Sequence, residues 1–528
     1  MSDVSSYCFG ATYITGYEGL NEMRTYNRRD WFYALGIFFF VLLLAAGQIS
    51  AGIPDWGDDH AAYISEGIAI ADNSLNEQAE INYFYHPSLL TQEASDGKLI
   101  YAWGYPVLQA CIYKLVGFNR INYSSVIWYK IPLALSLAML GGVLYLFFRR
   151  RFNLLISVFL ALLFCLSGDL FESVNKLYSD LPFVFFAFLV FLLMEWYSER
   201  PGRLILAFGY GFALWLTYET RLNGVSVCVL ALLGHILSQK KGFISKKRFW
   251  KNMMPYAVFA VLVLITERFW LAPATQNLSD VGAVSITTVW DNIYYYAFKV
   301  ITYFSTLSGI QIRPLGFIVP VFCVLGLVKN GFGRNLHLSV LAIGTFAVLV
   351  LLPYQQGLRY LYNVLPILLM YAAYGVRIAV KWIVKLIRSR KKLHTAGIVA
   401  AYSMALILLL SSGTCQIIRD IRNISDRGTP TETDVYSDYA VEMYDYIQNN
   451  TSRDAVVAFA KPRVLYLNTE RLSFRPGRNG HELADADYLL FCKLPAGVFS
   501  EVSPDTVPTE PLKENKWFVL YEIKKDQR

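Results

Sequence analysis

Charge is what this sequence is short of. Only 17% of its 528 residues are Asp, Glu, Lys or Arg, against 55% hydrophobic and 16% aromatic, whereas soluble domains carry roughly a quarter charged residues. With a mean hydropathy of +0.37, the chain has too much apolar surface for water and needs lipid to cover it. The formal charge of +8 does not point to nucleic acid, because Lys and Arg arrive in short bursts between apolar runs rather than along one face. Cysteine is also sparse. The seven are scattered singly, and Cys165, Cys228 and Cys323 lie inside apolar runs; without CxxC or metal-ligand spacing they read as packing residues with no redox or metal role. Internal repeats and low-complexity tracts are missing, as is a small-residue cleavage site after the first apolar run. The first helix is therefore expected to be retained rather than removed as a signal peptide.

What the sequence has in abundance is segments near the roughly 20 apolar residues needed to cross hydrocarbon. They start around Trp31, Ile131, Asn153, Leu181, Arg203, Leu222, Met253, Leu315, Leu336, Tyr360 and Thr395, giving about eleven spans. With residues 1–30 cytoplasmic, the loops holding Arg149 to Arg151, Arg200 to Arg203, Lys240 to Lys251, Lys329 to Arg334 and Lys381 to Lys392 all fall inside. This placement satisfies the positive-inside rule at every turn. The opposite loops are long, acidic and aromatic. The largest, 52–130, holds two apolar-periodic stretches, Asp58 to Ala71 and Tyr105 to Val116, expected as helices along the membrane surface. A further apolar stretch, Ala297 to Ile310, is too weakly bounded for a full span and suits another interfacial helix. The spans and these loops make up 31–412.

From 413 to 528 the composition becomes that of a soluble domain. An amphipathic helix is expected over Tyr436 to Asn449, and β-like runs over Ala455 to Phe459, Tyr488 to Lys493 and Trp517 to Ile523. These predict a small extracytoplasmic α/β domain.

The most informative stretch is Trp56-Gly57-Asp58-Asp59-His60-Ala61-Ala62-Tyr63, directly after the first span. Capping of the following helix is the plain account of two carboxylates there. Yet Asp169, Glu172, Lys176, Asp180, Glu219, Arg221 and Arg359 also sit at or near the same ends of the spans, where charges of both signs suit a polar cavity between helices as well as snorkelling at the boundary.

Several segments carry a resemblance in their order along the chain. They are the Asp58-Asp59 motif with Tyr63; Leu99 to Pro106; Ser179-Asp180-Leu181-Pro182; Thr220-Arg221-Leu222-Asn223-Gly224; Gly357-Leu358-Arg359-Tyr360 with Pro366; and, in the soluble part, Asp454 to Val457, Lys461 to Tyr466 and Thr469-Glu470-Arg471. Together they resemble the GT-C fold membrane glycosyltransferases, especially the protein O-mannosyltransferases and the lipid A aminoarabinose transferases, from Trp31 to about Phe474. The family usually has Asp-Glu where this chain has Asp58-Asp59, and the Tyr spacing is readable from either, so the choice of base stays open.

The resemblance implies a bacterial plasma-membrane enzyme that moves a sugar, with inversion, from a polyprenyl-phosphate donor to an acceptor hydroxyl on a lipid, glycan or protein at the outer face. Asp58 or Asp59 would be the general base. Arg359, then Arg221, would hold the donor phosphate, whose oxygens match a guanidinium fork. No metal or cofactor is expected. His86 and Tyr63 are candidate substrate contacts. Trp103 and Tyr105 are candidates to stack on sugar, with the interfacial aromatic belt as the plainer account. Asp180 either supports the site or caps its helix, and Lys461 and Arg463 read by default as a solvated turn. A lipid-linked glycan transporter, flippase or polymerase is the rival, although the Gly/Pro-broken half-helices and mid-span charges of transporters are not evident. A scaffold would not need the acidic motif at all.

Overall fold

The computed structural model describes residues 25–50, 52–53, 56–85, 101–118, 125–239, 246–269, 284–307, 311–333, 335–353, 355, 357–386, 418, 431–476, 483–494 and 510–523. Its helices are α1 (Arg28–Gln48), α2 (Asp59–Asp72), α3 (Leu75–Tyr85), α4 (Gly104–Val116), α5 (Val126–Arg149), α6 (Leu154–Cys165), α7 (Gly168–Glu172), α8 (Asp180–Glu199), α9 (Leu204–Thr220), α10 (Gly224–Ser238), α11 (Lys246–Phe269), α12 (Ile286–Thr306), α13 (Arg313–Asn330), α14 (Leu336–Val350), α15 (Leu365–Leu386), α16 (Asp438–Asn450) and α17 (Pro462–Thr469). Among the described residues six helices, within α1, α5, α8, α11, α13 and α15, are long and apolar enough to cross a membrane. A seventh span results if α6 and its continuation to Asn175, bent by 56°, count as one. The chain is a polytopic helical membrane protein, and each of the first ten expected spans has its helix. The span expected from Thr395 lies outside the described residues.

Two helices follow the apolar stretches of the first long loop to within a residue, α2 and α4, and they pack against each other. Asn73 ends α2 in the left-handed conformation, its amide bonded to the Ala69 carbonyl. Gly117, at φ +70, does the same for α4. Between them α3 went unforeseen because Leu75 to Tyr85 carries Asn, Glu and Gln rather than an apolar stripe. Its buried Gln78 and Asn82 bond to each other, and Asn82 also donates to Glu66 of α2. The stretch expected as a helix from Ala297 is, as far as Thr306, the second half of α12, which starts at Ile286 under a Ser285 cap, while 308–310 lie outside the described residues. That helix buries one stripe, Asn292, Tyr296, Val300 and Tyr303. Its polar first half kept it from reading as one element.

At the span ends away from the acidic loop, the Arg149-Arg150-Arg151 run is buried and paired. Arg149 bonds Asp30 at 2.8 Å. Arg150 and Arg151 share the buried carboxylate of Glu195 with His337, drawing the ends of α5, α8 and α14 together.

The C-terminal part is a five-stranded sheet in the order β2-β1-β3-β5-β4, from β1 (Val456–Ala458), β2 (Leu472–Phe474), β3 (Tyr488–Cys492), β4 (Lys513–Glu514) and β5 (Phe518–Glu522). Strands β1, β2 and β3 run parallel, and β5 is antiparallel to β3 and β4. Joining β1 to its parallel neighbour β2 needs a crossover, which α17 supplies. The helical and sheet parts share one core. Trp56 packs its ring at 6.3 Å and 5.9 Å from Phe459 and Phe518 and donates its indole N–H to the Thr433 carbonyl.

Candidate active site

Asp59 opens α2, where a carboxylate is favoured by the helix dipole. Its Oδ1 accepts from the Tyr101 hydroxyl at 2.7 Å and its Oδ2 from Arg359 Nη2 at 3.1 Å. Arg359 lies in a single 3-10 turn, Leu358–Leu361, entered through Gly357 at φ +79, a conformation that side chains with a Cβ resist. Its other Nη is 4.0 Å from Asp180, and Asp180 in turn accepts from Arg221. Four charges of alternating sign therefore run in a row: Asp59, Arg359, Asp180, Arg221. The two pairs differ in access. Asp59 and Arg359 keep about a third of their side chains exposed, at 30% and 31%, while Asp180 and Arg221 are buried.

Aromatic rings hold this row in place. The guanidinium of Arg359 lies 5.1 Å from the Tyr178 ring and 5.5 Å from Tyr360, and that of Arg221 lies 5.0 Å from Tyr360. Tyr63 bonds Ser179 at 2.9 Å and stacks on Tyr101 at 4.2 Å between centroids. Tyr105 meets Tyr63 edge-on at 4.7 Å. Trp103 and Tyr105 are both buried within the protein, Tyr105 at 1% exposure, where α4 packs on α2. His86 lies outside the described residues.

The adjacent aspartates part company. Asp58, the residue before α2, makes no side-chain bond to its own helix, so the helix-cap account fails for it. Its carboxylate instead lies toward α17, near Arg463, Lys461 and the Val464 amide. Burial pushes Asp58 up to about 6, against the pull of those cations. Burial also raises Asp59, but Arg359, the Tyr101 hydroxyl and Arg463 outweigh it and hold the carboxyl below its ordinary value. At neutral pH Asp59 is ionised.

Arg463 was missed by sequence reasoning. It is not in a solvated turn but in the first turn of α17, buried at 7% exposure, and it donates to the Tyr101 hydroxyl oxygen at 3.0 Å. The readable signal was Pro462 followed by an apolar run, which marks a helix start; its partner, 362 positions away, was not readable. Among the described residues no three His, Cys, Asp or Glu side chains converge as metal ligands.

No family model matches the sequence, and no curated protein matches it either. Solved structures do. ArnT from Cupriavidus metallidurans, bound to undecaprenyl phosphate, matches at TM-score 0.55 over 92% of this chain and 97% of that one, with 12% identity; its apo state matches at 0.52 with the same coverage. The archaeal oligosaccharyltransferase AglB from Archaeoglobus fulgidus, in complex with an inhibitory peptide and a dolichol-phosphate, matches at 0.51 over 88% of this chain and 70% of that one, with 9% identity. The architecture is the GT-C fold of polytopic membrane glycosyltransferases, the expected fold class. At such identities the likeness carries the fold, and chemistry has to be argued from the residues.

Proposed function

We propose that this chain is an inverting glycosyltransferase of a cell membrane, moving a sugar from a polyprenyl-phosphate donor to an acceptor hydroxyl on a lipid, glycan or protein. The observation that carries the reading is the partly exposed Asp59–Arg359 pair backed by buried Asp180 and Arg221, within a GT-C fold whose solved examples bind undecaprenyl phosphate and dolichol-phosphate. Asp59 is the general base and Asp58 is not. The Asp59 carboxylate takes the proton of the attacking hydroxyl as the acceptor oxygen bonds to the anomeric carbon. The bond from that carbon to the phosphate oxygen breaks, and the phosphate leaves with the electron pair. Arg359 and Arg221 offset its growing charge.

A carboxylate held below its ordinary value is a weak base, and Arg359 is part of the reason. Donor phosphate competes with Asp59 for the same guanidinium. When the phosphate takes Arg359, Asp59 loses a cation and its proton affinity rises as the reaction requires. The base thus gains strength only with donor bound.

The test is transfer of radiolabelled sugar from polyprenyl-phosphate donors to envelope extract by the wild type, Asp58→Asn and Asp59→Asn. Removing a general base costs about 10²- to 10⁴-fold in rate. That loss is expected for Asp59→Asn, with donor still bound, and a much smaller one for Asp58→Asn. Equal activity of Asp59→Asn and wild type would overturn the assignment, and absence of transfer with every donor tried would favour a lipid-linked glycan transporter.

A further inference from the structure

The soluble domain contributes a side chain to the charge network. Arg463 is carried by α17, two residues after Lys461 and between the two parallel strands β1 and β2. It donates to Tyr101, and Tyr101 donates to Asp59. A hydroxyl has one proton to give. With Arg463 filling the acceptor side of the Tyr101 oxygen, that proton is directed at Asp59 Oδ1, and the Tyr63 ring stacked on Tyr101 holds the geometry. Asp58 lies against the same helix, with its carboxylate near Arg463, Lys461 and the Val464 amide.

We infer that Arg463 is a positioning residue for Asp59, so that the C-terminal domain aims and charges the base of the membrane domain. This rests on the proposed role of Asp59. The groups facing Asp59 are Arg359 from the 358–361 turn, Tyr101 ahead of α4, Tyr63 and Asp58 from its own helix segment, and Arg463 from α17, with Asp180 and Arg221 beyond Arg359. Of these, Arg463 alone comes from the soluble domain. Its charge lowers the Asp59 carboxyl directly, and its bond to Tyr101 sharpens the hydrogen bond that lowers it further. Losing Arg463 therefore raises the carboxyl, and the base becomes protonated at a higher pH.

The experiment uses full-length protein in lipid nanodiscs, with Arg463→Gln, Arg463→Lys, Tyr101→Phe and the Gln/Phe double variant. Two quantities are read: the pH profile of kcat with donor KM, and the infrared titration of the Asp59 carboxylate, taken as wild type minus Asp59→Asn. Arg463→Gln is expected to lower kcat roughly 10- to 100-fold, the range for groups that hold a reacting residue in place, with donor KM little changed. Its acid limb and the Asp59 infrared midpoint both move to higher pH. Lys at 463 keeps the charge without the fork, so it restores the midpoint more than the rate. In the double variant the two losses do not multiply, since both break one chain of bonds. An unmoved midpoint in a folded Arg463→Gln protein, or in Tyr101→Phe should Arg463→Gln not fold, or fully multiplicative losses, overturns the inference. A wild type that transfers no sugar, with the midpoint still shifted in Arg463→Gln, sinks the transferase reading and leaves the positioning role standing.

Discussion

Replacing Asp58 by Asn should change how stability responds to pH, in a direction fixed by the carboxyl's environment. Burial moves Asp58 from its ordinary 3.8 to about 6. Between those values the folded protein holds a proton that the unfolded chain has already lost, so stability falls as pH rises through the window. It is at its fullest below the ordinary value, and the loss is complete above about 6. A shift of about two units at roughly 1.4 kcal/mol each sets an upper limit of about 3 kcal/mol on that loss. Asn keeps the size and shape of the side chain but cannot ionise, so its variant should show no such decline. The assay is thermal unfolding of wild type and Asp58→Asn in the same nanodiscs at half-unit pH steps from 4 to 8. The difference, variant minus wild type, should climb between pH 4 and 6 and then level off. A difference that stays flat, or one that falls with pH, would refute the placement of Asp58 against α17 in a buried setting.

Two further substitutions probe the frame around the site. Asp180→Asn leaves Arg221 buried opposite a neutral amide; breaking one side of a buried pair costs about 3–5 kcal/mol, so the melting point should drop clearly, and Asp180→Asn with Arg221→Gln together should cost less than the sum of the two. Gly52→Ala would put a methyl 2.2 Å from an Asp434 carboxylate oxygen, the same carboxylate that accepts from the Ile53 and Tyr436 amides. Overpacking of this kind costs about 1–3 kcal/mol, and earlier proteolytic release of the C-terminal part at low protease concentration is the expected readout.

The sequence made the long apolar helices and the surface helices α2 and α4 legible because their apolar periodicity and end signals agree. Strands β1, β3 and β5 were legible for the same reason, being dense in Val, Leu, Phe and Tyr. The short strand β2 and helix α17 were not: Leu472-Ser473-Phe474 stands alone without the longer apolar run that flanks β1, and the eight residues of α17 are too few for a period to show. Within the site, Asp59, Arg359, Asp180, Arg221 and Tyr63 were nameable one by one as charged or polar residues at one level of the spans. Their alternation in a row was not readable, because it depends on helix ends brought together from four separate parts of the chain. The split between Asp58 and Asp59 was hidden for a different reason. Adjacent residues on a helix point about 100° apart, and only the positions of the 358–361 turn and α17 decide which of them faces the arginine at 359 and which lies toward α17.

Ile53 receives its partner Asp434 from 381 positions further along the chain. At a synthesis rate of 5–20 residues per second, that gap lasts roughly 20–75 s. Until it closes, Trp56 has neither the Thr433 carbonyl for its indole nor Phe459 and Phe518 for its ring. The loop bearing both aspartates is therefore made early and finished last. A ribosome stalled anywhere before residue 434 would leave behind a membrane-inserted product with the aromatic anchor of this loop bare, an apt mark for quality-control proteases.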